Sequence, residues 1–230
     1  MTSTEKPVVF IACQVLQNML EQFVPPELAA RIEFKDYGLH RVPSKLTFTL
    51  QDAIDSITEP SLVVLGYGLC GNGLNGIKAG PHTLLIPKAD DCIAILLGSR
   101  EAYMREFNAV PGTYYLSKGW LESGSHPLKE YHEINEKYGP EDAAWIMDQQ
   151  YQHYERLVLV THSEEDLAKY RPEAQQVADY CGQWGMRYEE RLGSTAFVER
   201  LVAAAMNPDE VDDDFVVIPP GGEIRQEQFM

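Results

Sequence analysis

The sequence predicts an α/β fold: a mostly parallel, doubly wound sheet with helices on both faces. Three observations carry that reading. Short apolar runs recur along the chain, each of a length suited to a buried strand. Helical patterns separate them, as the crossovers between parallel strands require. Gly-rich corners then follow the strands, at Gly66-Tyr67-Gly68 and at Pro219-Pro220-Gly221-Gly222.

Taken in order, Val8-Val9-Phe10-Ile11-Ala12 reads as the first buried strand. Val15 to Phe23 reads as a helix stopped by Pro25-Pro26. Arg31 to Tyr37 is a second, weaker strand. Thr49 is placed to cap a helix running through Asp52 to Ile57. Ser61 to Leu65 and Thr83 to Pro87 are the third and fourth strands, and Ser99 caps a helix from Arg100 to Phe107. Residues 108–127, rich in Gly, Pro and aromatics, read as a long loop or a short edge hairpin, and loops of that length are often functional. Leu128 to Glu155 is helical with a break at Gly139-Pro140. Strands then return at Leu157 to Val160, Met186 to Glu190 and Phe215 to Ile218. Helices run from Glu164 to Gln183 and, capped by Ser194, to Met206. The tail Arg225 to Met230 reads as poorly ordered.

Strand–helix–strand–helix–strand occurs at 8–65 and again at 157–218. The chain therefore reads as a single α/β domain over 1–230. Alternatively, it forms two pseudo-repeated Rossmann-like halves around a cleft, lobes of about 1–110 and 155–225 joined by the helical segment 128–155.

A formal charge of −16, from 35 acidic and 19 basic residues, argues against nucleic acid and anionic membrane as main partners. No apolar run reaches the length of a membrane span, and the beginning of the chain has no signal-peptide pattern. A cytoplasmic protein is the expectation. In that setting its 4 cysteines are metal ligands, catalytic groups or buried thiols rather than disulfides.

Gly66, Gly68 and Gly71 spell G-x-G-x-x-G directly after a strand, and Asp90-Asp91 follow the next one. That pattern suggests a dinucleotide, but the fingerprint also needs a helix opening at the third glycine. Gly73, Gly76, Gly80 and Pro81 leave little room for it. Cys70, at the centre of the loop, gives the glycines another purpose, which is to present a thiol with little neighbouring bulk. Cys13, His40, Cys70 and Cys92 each fall at or just past the carboxyl end of a strand. In a parallel sheet those ends share one edge, where ligands bind. Three thiols and an imidazole there would suit zinc or another soft metal ion. The spacing itself is no metal signature, and Cys13 has an alternative reading as a small buried residue. Cys181, within a helix, reads as core. His162, past the fifth strand, is a secondary candidate.

The ligand side of this site draws on Tyr67, Gly68, Gly71 and Asn72 of the glycine loop, with Asp91 beside them. Arg100 or Lys118 would bind an anionic group. Tyr114 and Trp120, in a stretch hinged by Gly112 and Gly119, would form a lid over a planar ligand or else a flap on the core.

The stretches IAC, GLHRVPSKL, GYGLCGNGLNG, LLIPKADDCIAILLGSREAY, PGTYYLSKGW and VIPPGGEI together resemble the bacterial and archaeal DUF1638 family over nearly the whole chain. Members carry His-Asp-Cys where this chain has Asp90-Asp91-Cys92. The resemblance implies a place beside corrinoid proteins and methyltransferases in one-carbon metabolism. Three functions compete. The first is a metal-dependent small-molecule enzyme or accessory protein of methyl transfer. The second is a non-catalytic protein that binds or delivers a metal, a corrinoid or a methyltransferase partner. The third is a nucleotide or S-adenosylmethionine enzyme using the glycine loop.

Overall fold

The computed structural model describes residues 6–208 and 210–230. In chain order, β1 (Val8–Cys13) leads to α1 (Gln17–Phe23), β2 (Ala29–Lys35), a 3-10 turn at Tyr37–Arg41, α2 (Pro43–Asp55) and β3 (Leu62–Gly66). The glycine loop follows, then β4 (Thr83–Pro87), a short α3 (Cys92–Leu96) and α4 (Arg100–Ala109). Next come β5 (Thr113–Ser117), α5 (Lys118–Ser123), α6 (Pro127–Tyr138) and α7 (Pro140–Tyr151). The chain continues through β6 (Arg156–Thr161), α8 (Glu164–Cys181), β7 (Arg187–Leu192), α9 (Ala196–Met206) and β8 (Phe215–Ile218). Among the described residues, no helix is long and apolar enough to cross a membrane.

The chain divides into two compact units. One comprises Glu101–Ser194, and the other the residues up to Arg100 together with Thr195–Met230. The strands of 157–218 are shared between them: β6 and β7 belong to the first of these units and β8 to the second.

The larger, discontinuous unit holds a five-stranded sheet in the order β2-β1-β3-β4-β8. Its first four strands are parallel, and β8 closes the edge antiparallel to β4, with Leu84 opposite Ile218. Every residue of β1 and of β3 is buried, as befits central parallel strands covered on both faces. Alternation sorts their side chains. Val9, Ile11 and Cys13 of β1 share one core cluster with Val63 and Leu65, with Tyr67 just past β3, and with Leu46, Leu50 and Ile54 of α2.

That helix starts earlier than the sequence suggests. Pro43 at its first turn opens it, because proline has the helical φ already and no N–H to leave unpaired. Thr49 is therefore an interior residue and not a cap. The segment Arg225 to Met230 differs more. Its Gln226 N–H donates to Asn75 Oδ1 (3.0 Å), and the residues just before it, 221–224, pair with the far side of the glycine loop. Ile224 N–H donates to Ile77 O (2.8 Å), Ala79 N–H to Gly222 O (2.9 Å), Gly76 N–H to Ile224 O (2.9 Å) and Gly221 N–H to Gly80 O (2.7 Å). Phe229, only 2% exposed, anchors it in the same core as Leu74 and Ile77.

The second unit holds a three-stranded parallel sheet, β5-β6-β7. The stretch read as loop or hairpin thus contributes an edge strand and a short helix, α5. Leu116, Leu157 and Leu159 pack on Met147, Leu167 and Val177. Arg156, almost fully buried, is satisfied by Thr113 Oγ1 (3.0 Å), Glu106 (2.9 Å) and Glu189 (3.2 Å).

Candidate functional site

In the five-stranded sheet, β1 connects to β2 on one side and β3 runs on to β4 on the other. The order therefore reverses between β1 and β3. In open parallel sheets such a switch point leaves a crevice at the carboxyl ends of the strands. The residues there are Cys13 at the end of β1 and Tyr67 just past β3. The register pairs Ala12 with Gly66, so Cys13 and Tyr67 are the next lateral pair, on adjacent strands and the same face.

The glycine loop brings a second thiol to this point. Cys70, Gly71 and Asn72 all have left-handed backbones, with φ of 48°, 62° and 73°. For cysteine and asparagine that costs free energy, on the order of 1 kcal/mol each. The turn is held from two sides. Leu69 N–H donates to Ala89 O (2.8 Å) and Cys70 N–H to Asp90 O (2.9 Å), which zips the loop to the chain leaving β4. On the other side Thr47 of α2 donates to Gly73 O (2.8 Å). Gly68 must be glycine, because a Cβ there would lie 2.7 Å from the Asp91 backbone. This contact delivers the third thiol, Cys92, the first residue of α3. Asp91 caps that helix by accepting from Ile93 N–H (2.8 Å).

Cys13, Cys70 and Cys92 are all buried and reduced. Backbone N–H groups of Val15 beside Cys13, and of Gly68 and Cys92 beside Cys70, act to lower those two thiols. Backbone N–H groups only donate, so these two sulfurs are set up as acceptors. Burial nevertheless dominates, and it pushes the Cys13 thiol up to about 11. Cys70 and Cys92 are raised further, first by burial, then by Asp91 and by the other thiols. The Tyr67 hydroxyl is raised by burial and by all three sulfurs, with Asp36 of the turn after β2 adding to them. Asp91 is itself raised by burial. The charged groups felt at the sulfurs, Asp36 and Asp91, are thus carboxylates. The Tyr67 hydroxyl oxygen is fully buried and has no hydrogen-bond partner.

Thus Cys13, Tyr67, Gly68, Cys70, Asp91 and Cys92 come together. Gly71 and Asn72 form the exposed outer rim of the loop. Arg100 stands 4.0 Å from Asp90. His40 lies in the turn after β2, with Nδ1 2.8 Å from Tyr37 O, and burial lowers its pKa. Tyr114 and Trp120 belong to the other unit. There Tyr114 packs edge-on against Tyr151 (5.7 Å) and Tyr154 (5.5 Å), and Trp120 is half-buried in α5. Cys181 is core in that unit. Among the described residues, no three His, Cys, Asp or Glu side chains are set out so as to hold a metal ion. The thiols are neighbours without being a preassembled chelate.

The glycine loop does not open onto a helix. Turns over 70–76 lead to the pairing with 221–224, so the loop lacks the helix N-terminus that cradles a pyrophosphate. Sequence reasoning reached the thiols but missed the role of Asp36 and of the 221–229 segment. Phe229, an apolar residue in a polar tail, was the available signal for the latter.

Fold and site define an α/β protein with a three-thiol cluster at the switch point of a parallel sheet. The chain belongs to the family described as protein of unknown function (DUF1638), whose sequence profile matches residues 34–202. Comparison with curated proteins and with solved structures gave no match.

Proposed function

We propose that the thiol cluster binds a soft metal ion, zinc foremost, through Cys13, Cys70 and Cys92. The observation that carries this is the mismatch between the sulfurs and their surroundings. Three buried sulfurs lie close enough to act on one another, in a field made by carboxylates that disfavours any anion lacking a counter-charge. A cation reverses that penalty and displaces the thiol protons. The donor chemistry suits zinc, which takes thiolates readily. Closure onto an ion would require these side chains to move together, since they are not set out as a chelate among the described residues. Bound there, the ion would polarise a substrate or activate a thiol or water. We further propose that this site serves one-carbon, corrinoid-linked methyl transfer, as enzyme or accessory protein. That part rests on the family resemblance alone.

Elemental analysis of reduced protein purified without oxygen tests the metal. The expected result is stoichiometric zinc or a related ion in the wild type and its loss in Cys70→Ser. Wild-type protein that is metal-free and takes up no added zinc would overturn the reading. A second reading, delivery or partner binding without turnover, is favoured by the raised thiols, since none of these three is a thiolate at neutral pH without a counter-charge. Co-purification with a corrinoid protein, without turnover of methyl donors, would select it.

A further inference from the structure

We infer that Tyr67 supplies the fourth donor of this site, its phenol oxygen completing a three-sulfur, one-oxygen set. The inference rests on the metal reading and names a ligand which that reading leaves open. Tyr67 is 2% exposed, yet its hydroxyl oxygen has no hydrogen-bond partner. A buried, unpaired hydroxyl is costly and uncommon, so its retention calls for an explanation. Position gives one. Tyr67 is the lateral neighbour of Cys13, three residues before Cys70, and packs in the same cluster as both. Cys92 is tied to Cys70 through its backbone N–H. All three sulfurs act electrostatically on the Tyr67 hydroxyl, which places the phenol in their neighbourhood.

His40 is the other fourth donor that the sequence suggests. Its Nδ1 is engaged with Tyr37 O inside its own 3-10 turn. That bond leaves His40 Nε2 as the competing donor, so the two residues are compared directly. On ion binding, each thiol and the phenol releases one proton to solvent, and four metal–ligand bonds replace three S–H bonds and one O–H bond.

The test is a zinc titration of reduced, metal-free full-length protein against a chromophoric competitor, followed by ultraviolet difference absorbance. Wild type, Tyr67→Phe and His40→Gln are compared. The expected wild-type result is uptake of zinc together with the difference band of an ionised phenol. Tyr67→Phe loses that band and binds more than about tenfold more weakly, the loss seen even when a ligand's supporting partner is removed. His40→Gln keeps band and affinity. Metal-free Tyr67→Phe unfolds at or above the wild-type midpoint, since it removes an unpaired hydroxyl and no packing. This separates a ligand from a structural tyrosine. Zinc bound equally by wild type and Tyr67→Phe without the band overturns the role of Tyr67 and leaves the metal reading standing. No zinc uptake by the wild type overturns both.

Discussion

Gly68→Ala tests the joint between the glycine loop and α3. The added Cβ would lie 2.7 Å from Asp91 Cα and C and 2.8 Å from its N. Carbon atoms prefer about 3.5–4.0 Å, so the loop must retreat by roughly 1 Å. All three obstructing atoms are backbone, and no side-chain rotation relieves the contact. Overpacking of this kind costs about 1–3 kcal/mol. Retreat also stretches the hydrogen bonds from Leu69 to Ala89 and from Cys70 to Asp90. At about 1 kcal/mol net for each such bond, partial loss brings the total to about 2–4 kcal/mol. Urea unfolding measures this as a lowered midpoint at unchanged slope. The rate at which an aromatic disulfide reagent reaches the thiols of the native protein is expected to rise in parallel. An unfolding free energy within about 0.5 kcal/mol of wild type, the range of ordinary surface changes, would falsify the close packing of the loop on Asp91.

Two further changes probe the same unit. Phe229→Ala empties a buried site and is expected to cost about 3–5 kcal/mol, with faster labelling of Cys70 as the loop loosens; unchanged stability and labelling would contradict the anchoring role. Alkaline pH is the other. The Cys13 thiol is raised from about 9 to about 11 in the folded state, so above the lower value the unfolded chain binds fewer protons and stability falls as pH rises. The contribution is complete below about pH 9, is lost progressively towards pH 11, and amounts to about 2–3 kcal/mol. Cys13→Ala is expected to flatten the decline in urea midpoint over that window, and identical slopes in the two proteins would refute the assignment.

The strands were legible because buried parallel strands carry unbroken apolar runs, as at Val8 to Ala12 and Ser61 to Leu65. The cysteines at their carboxyl ends could then be placed on one edge before any coordinates. What stayed hidden depends on pairing between distant parts of the chain. The reversal between β1 and β3 cannot be read from element order alone, because the same alternation fits several strand orders. The antiparallel seat of β8 on β4 and the pairing of 221–224 with 76–80 have no local pattern either. Tyr114 illustrates a different limit. For a tyrosine flanked by glycine the sequence leaves lid and core flap open, and alternation along β5 turns it towards Leu116 and the core of its unit. Helix starts were also misread where proline, rather than a capping hydroxyl, opened the helix, as at Pro43.

The hydrogen bond from Gln226 N–H to Asn75 Oδ1 joins residues 151 positions apart, and the neighbouring pairings span almost the same distance. The intervening chain includes all of the unit Glu101–Ser194. During synthesis the four parallel strands and that unit emerge well before the segment which braces the glycine loop. Closing so long a stretch is entropically slow, and local contacts form first. The thiols are therefore made early and enclosed late. While the chain waits for 221–229, the Cys70 turn is held by Ala89, Asp90 and Thr47, and the 76–80 side of its loop lacks its partner 221–224. Folding of this protein is expected to depend on the reducing power of its surroundings in that interval, long before any activity of the finished site is at stake.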